Sequence, residues 1–149
     1  MDFSRIDKRL LFTSLLKQGF IFRLKGDEPF ESSDYHVFVV LNYSPNTGKL
    51  LYLVNGTSQV QKRLRNLWAN DVDTNATTVA ILAGKYSFFP KDTLIDCNSV
   101  SELDVSNVNF SDDTVELIYS ELDTGDVQAI VDAVRCSTLV EQYIKHMLA

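Results

Sequence analysis

Two apolar runs closed on a tight polar turn limit the folds open to this chain more than any other feature. The stretch from Asp34 to Gln59 reads DYHVFVVLNYSPNTGKLLYLVNGTSQ. His36 to Asn42 is a continuous apolar run too rich in valine to favour helix. Branching at Cβ stiffens a side chain against a helical turn and packs well on a pleated sheet. YSPNTGK then sets Pro, Asn and Gly at punctuating positions, and Leu50 to Val54 returns. The pair predicts an antiparallel hairpin. Each run also meets a small polar cluster: Tyr35-His36 before the first, Gly56-Thr57-Ser58-Gln59 after the second. Adjacent antiparallel strands put the start of one beside the end of the other, so His36 and Thr57 are expected on one edge of the sheet.

The flanking sequence alternates between helical and extended periods. Ser4 with Asp7 reads as a capping box. Ile6, Leu10, Leu11, Leu15 and Leu16 follow near helical spacing until Gly19 stops the run. GFIFRL, from Gly19 to Leu24, reads as a strand, and the polar KGDEPFESSD as a loop. SQVQKRLRNLWA predicts a short amphipathic helix with Ser58 as N-cap. Val60, Leu64, Leu67 and Trp68 share one face, with Lys62, Arg63 and Arg65 elsewhere. NDVDTNA reads as a second loop. Strands are expected at Thr77–Leu82 and Thr93–Cys97, linked by AGKYSFFPKD, and at Glu102–Val108 and Val115–Leu122. Val127, Ile130, Val131 and Val134 then define a helix begun near Thr124. A second capping box, Thr138 with Glu141, opens a last helix along Val140, Tyr143, Ile144 and Met147.

Short strands at this spacing predict an α+β, mainly β fold: a small SH3-like half-open barrel of about five to seven short strands, or a strongly bent sheet. An all-parallel sheet would need a crossover helix between every strand pair, which the chain lacks. The 149 residues suit one domain. It divides into an N-terminal helix (1–18), a barrel (19–122) with an inserted helix (58–69), and C-terminal helices (124–148).

A net charge of -6 argues against a generic duplex-binding surface but leaves room for a local basic groove. Cys97 and Cys136 stand in no metal-like spacing, and His36 and His146 lie far apart, so no zinc set is expected and the thiols are read as free. No signal-peptide pattern and no apolar run of the roughly 20 residues a membrane span needs are present. A cytoplasmic, soluble protein without cofactor or metal is expected. Glycine-rich phosphate loops, HExxH, GxSxG and CxxC are missing.

What remains for chemistry is His36, Thr57, Ser58, Gln59 and the basic run Lys62, Arg63, Arg65. Taken singly, each has a plain structural reading. His36 suits a strand end bonded to a backbone carbonyl, Thr57-Ser58 a helix cap, and the basic run a solvated helix face. Phe30, Tyr35 and Tyr43 offer rings that suit packing first and base stacking second.

Taken together, YHVFVVLN, TG, an apolar strand and TSQ resemble the core of the MazF/PemK family of toxin endoribonucleases. GFIFRL resembles that family's first strand, VFVVLN its second, and LLYLV with GTSQ its third and its exit. DTLIDCNSV, from Asp92, resembles a later strand, and GDVQAIVDAV, from Gly125, the terminal helix. The resemblance spans most of Gly19 to Val134. By register, His36 stands where that family carries its catalytic arginine before a proline, and Thr57 falls on its catalytic threonine.

The resemblance implies cleavage of single-stranded RNA through the 2′-hydroxyl, a homodimer and a cognate antitoxin. In that reading His36 and Thr57 are catalytic, while Ser58, Gln59, Lys62, Arg63 and Arg65 contact RNA. Imidazole suits proton transfer near neutrality but clamps phosphate less well than guanidinium. The competing expectation is a non-catalytic protein-binding module of the same fold, in a toxin-antitoxin or defence locus.

Overall fold

The computed structural model describes residues 7–26, 32–45, 50–110 and 114–149. Expected features at Ser4, Ile6, Phe30 and the NTGK turn lie outside these residues.

Alternation along three neighbouring strands builds the molecule. β1 (Phe20–Gly26), β2 (Ser32–Val40) and β3 (Leu50–Thr57) pair antiparallel in that order. Phe20, Phe22 and Leu24 of β1 face one way, together with Phe38 and Val40 of β2 and Leu51 and Leu53 of β3. Ile21, Val39, Tyr52 and Val54 face the other. Both faces are covered, which is why these strands read as continuous apolar runs rather than alternating ones.

On the first face lies α1 (Lys8–Leu15), whose Phe12 meets Phe22 edge-on at 5.0 Å and Phe20 at 5.8 Å. Its N-cap is Asp7, whose carboxylate accepts from the Arg9 N–H at 2.9 Å. The turn into β1 needs Gly19. Its φ is +87°, and a Cβ there would sit 2.6 Å from Val127 Cγ2.

The remaining strands are β4 (Thr78–Ile81), β5 (Thr93–Asp96), β6 (Ser101–Asp104) and β7 (Val115–Glu121). The seven-stranded sheet runs β4-β5-β3-β2-β1-β7, with β6 also paired to β3, and every pairing is antiparallel. β7 and β4 stand at its two ends. The α+β class and antiparallel sheet match expectation. Helix and strand occupy similar lengths of chain, so the mainly-β weighting does not hold.

On the second face lies α4 (Thr124–Cys136), burying Ile130, Val131, Ala133 and Val134. α5 (Gln142–Lys145) and a final 3-10 turn (His146–Leu148) follow, with Val140, Ile144 and Leu148 buried. The Thr138–Glu141 capping box does not form; Glu141 sits at the N-cap without a side-chain bond, and Tyr143 and Met147 point outward.

Three further local expectations are corrected. α2 runs Val60–Ala69 with Gln59, not Ser58, at its N-cap. Trp68 is 53% exposed, its indole donating to Thr74 Oγ1 at 3.0 Å, and Leu67 is the helix's buried residue. NDVDTNA is not all loop: Asp73 caps a short helix, α3 (Thr74–Thr77), through the Asn75 and Ala76 N–H groups. Among the described residues, no helix is long and apolar enough to cross a membrane.

Candidate functional site

β3 lies between β2 and β5. It pairs with β2 from Val40↔Leu53 to Phe38↔Asn55, and on its other edge with β5 at Gly56↔Ile95 and Thr57↔Leu94. Carried two residues further, the β2–β3 register sets His36 opposite Thr57. There the ladder has ended, and a cleft of about 450 Å³ lies at the parting. His36, Val37, Gly56, Thr57, Ser58 and Gln59 line one side, and Phe88 to Lys91 with Thr93 line the other. Parity puts His36 on the face of Phe38, its ring centroid 6.3 Å from the phenylalanine's. The imidazole is half-buried.

Two details shape this cleft. The Thr57 hydroxyl accepts the Gln59 N–H at 3.1 Å, a local turn that spends an acceptor lone pair and leaves its proton to donate. Gly56 lets the opposite wall close in, since a Cβ there would lie 2.7 Å from Thr93 Cγ2 and 3.1 Å from Phe89 Cε1. Phe88 and Phe89 are buried, so they form the floor rather than a stacking surface. Tyr43, by contrast, is exposed and lies outside the cleft lining.

Of the residues expected at a site, His36, Thr57, Ser58 and Gln59 therefore meet in one cleft. Lys62, Arg63 and Arg65 do not line it. Arg63 is taken up elsewhere: its Nη1 lies 3.1 Å from Oδ2 of Asp96, a carboxylate whose side chain is only 5% exposed. A buried carboxylate needs such partners, and Asp96 has others. Asn98 donates to Oδ1 through both its backbone N–H and Nδ2 at 3.0 Å, and Ser99 Oγ donates to Oδ2 at 3.3 Å. Asn98 also reaches Thr77 Oγ1 at 2.9 Å and accepts from Ser137 Oγ at 2.7 Å. This network ties β5, α2, α3 and the end of α4 together behind the cleft. Beside it the Cys97 thiol is pushed up to about 12 by burial and then by the Asp96 charge.

The residue missed from the sequence is Lys91. It stands exposed on the cleft wall and, among the described residues, carries no ion pair. A lone lysine after Pro90 in FFPKD gives no periodic signal; only the fold brings it to the cleft that Thr57 also lines. Among the described residues, no group of three or more His, Cys, Asp or Glu side chains could hold a metal ion.

The arrangement offers a proton-transfer group, a hydroxyl donor and a single ammonium in one concave place. That set suits a phosphate ester in both shape and charge. No protein-family model matches the chain, and no curated protein matches it.

Proposed function

We propose that the cleft is the active site of a toxin-like, metal-independent endoribonuclease acting on single-stranded RNA. The observation that carries this reading is the convergence of His36 and Thr57 at the parting of β2 and β3. In the proposed reaction the RNA 2′-oxygen attacks the adjacent phosphorus and the bond to the 5′-oxygen breaks. His36 takes the 2′-proton, a solvent water protonates the leaving 5′-oxygen, and the products are a 2′,3′-cyclic phosphate and a 5′-hydroxyl. Thr57 donates to a non-bridging oxygen, and Ser58 and Gln59 flank it. Lys91 supplies the cation that the basic run Lys62, Arg63 and Arg65 was expected to bring. Lys62 and Arg65, exposed on α2, contact phosphates outside the cleft.

The same reading takes the bent sheet as an SH3-like half-open barrel, and the protein as a cytoplasmic homodimer with a cognate antitoxin. A second reading, a non-catalytic protein-binding module, draws on the engaged Arg63, which leaves Lys91 as the one cation among the cleft-lining residues.

The test is incubation with long single-stranded RNA in excess chelator. Cleavage to cyclic-phosphate ends is expected. His36→Ala should lose about a hundredfold or more, the scale of a positioned proton transfer. His36→Ala that cleaves as fast as the parent would remove the catalytic role; no cleavage by the parent favours the binding module.

A further inference from the structure

Residues 139–148 carry two apolar sets, and the core uses only one. Val140, Ile144 and Leu148 are buried at spacings of four. Leu139, Tyr143 and Met147, each one residue earlier, are 62%, 53% and 41% exposed. A surface helical segment needs one apolar stripe, and its outer side is ordinarily polar. Isolated exposed apolar residues are common, but Tyr143 and Met147 lie four residues apart, on α5 and the 3-10 turn that follows it. The Tyr143 ring stands edge-on to Tyr52 at 6.2 Å. The Met147 carbonyl accepts the Tyr43 N–H at 2.8 Å, so Tyr43, 64% exposed, extends the same surface.

The strip is held in place from beneath. Gln18 Nε2 donates to the Leu148 carbonyl at 2.8 Å and to that of Leu41 at 2.7 Å. Lys145 Nζ donates to the Ser137 carbonyl at 2.7 Å. A surface fixed in this way loses little freedom on binding. Its rim is acidic. The Tyr143 hydroxyl donates to Glu102 Oε1 at 3.1 Å, and Glu141 lies close enough to act on the same phenol. The Lys145 ammonium is turned inward to Ser137, which leaves His146 as the basic neighbour in the segment.

We propose that Tyr43, Tyr143 and Met147, bordered by Glu102 and Glu141, dock a basic amphipathic segment of a partner protein. Such a segment presents apolar side chains at helical spacing with Lys or Arg on its flanks. Tyrosine and methionine suit the apolar centre of an interface, and the carboxylates select the charge around it. A second copy would set acidic rim against acidic rim, and an anionic bilayer would repel it.

The probe is a fluorescein-labelled synthetic leucine–lysine amphipathic helix, followed by anisotropy, with its leucine–glutamate counterpart as control. The lysine peptide should bind with a micromolar Kd and the glutamate peptide should not. Tyr143→Ser with Met147→Ser should weaken binding about tenfold or more, the scale of central interface residues. Glu102→Lys with Glu141→Lys should also weaken it, whereas His36→Ala, in the cleft, should not. Equal binding of both peptides overturns the proposal, as does binding that ignores the double serine substitution. So does self-association, or capture by anionic vesicles, that the same substitution abolishes. Should the double variant unfold, Met147→Ser alone, which leaves Tyr143 and Glu102 intact, decides between these outcomes.

Discussion

Gly56→Ala puts a methyl group where the two walls of the cleft already touch. Its Cβ would lie 2.7 Å from Thr93 Cγ2, 3.1 Å from Phe89 Cε1 and 3.2 Å from Ile95 Cδ1. Carbon atoms pack best at about 3.5–4.0 Å. All three neighbours are buried, so none can swing into solvent. Overpacking of this kind costs about 1–3 kcal/mol. Alanine also restricts the unfolded chain, which returns about 0.4–1 kcal/mol. The net loss is then about 1–2 kcal/mol. With a urea slope of about 2 kcal/mol per molar, the unfolding midpoint falls by about 0.5–1 M. Thr93→Ser removes the nearest methyl and keeps the hydroxyl that donates to the Lys91 carbonyl. Alone it should cost about 0.8 kcal/mol for the lost methyl. Combined with Gly56→Ala it should cost less than the two singles summed, by about 1 kcal/mol. Urea melts of the four proteins measure the cycle. Gly56→Ala within about 0.5 kcal/mol of the parent, or a coupling of zero, would refute the close approach.

Arg63→Met should cost about 1–2 kcal/mol in denaturant melts. That is less than for a fully buried pair, because the guanidinium side is 37% exposed; no change in stability would deny Arg63 its structural role. A thiol reagent at pH 8 should label Cys136, which is exposed, at once and Cys97 only on unfolding; two fast thiols would contradict this. The Cys97 thiol is raised from near 9 to about 12, so the folded state holds that proton more tightly. Its contribution is complete below pH 9 and is lost as pH rises towards 12, so Cys97→Ala should flatten the alkaline fall in stability. The Asp123 carboxyl is held low by the Asp126 N–H and then by Lys85, so it contributes above the carboxylate range and fades as pH falls. Asp123→Ala should therefore lower the Tm by a few degrees at pH 7 and by much less at pH 3; a constant gap would count against the cap.

Strand identity was legible where both faces of the sheet are covered. The runs at β1, β2 and β3 are apolar because each side chain, up or down, meets a covering layer. That His36 and Thr57 border one cleft also followed from hairpin geometry alone. Long-range partnerships were not legible. Nothing local in KRLR marks Arg63 as the partner of Asp96, which lies beyond two intervening elements. Trp68 reads as core by period, yet sits outside because Leu67 already fills the contact and the indole finds Thr74. The expected cap at Ser58 shifted by one residue: α2 starts at Val60 with Gln59 at its N-cap and no side-chain capping bond. Lys91 needed the fold, since it comes from the loop before β5 to a cleft that β2 and β3 also line.

The pairing of β1 with β7 has a consequence for the order of assembly. Phe22 lies against Leu117, so one margin of the sheet joins segments far apart in sequence. β1, β2 and β3 are consecutive and can associate through short loops as soon as they are made. β7 and α4 emerge from a ribosome long after these strands, and until then Ile21, Val39 and Val54 face water without the helix that buries them. Contacts of such large sequence separation slow folding, because the loop entropy is lost before the contact rewards it. The nascent meander therefore presents an uncovered apolar surface and an unpaired strand during synthesis, the condition in which chains bind chaperones or one another.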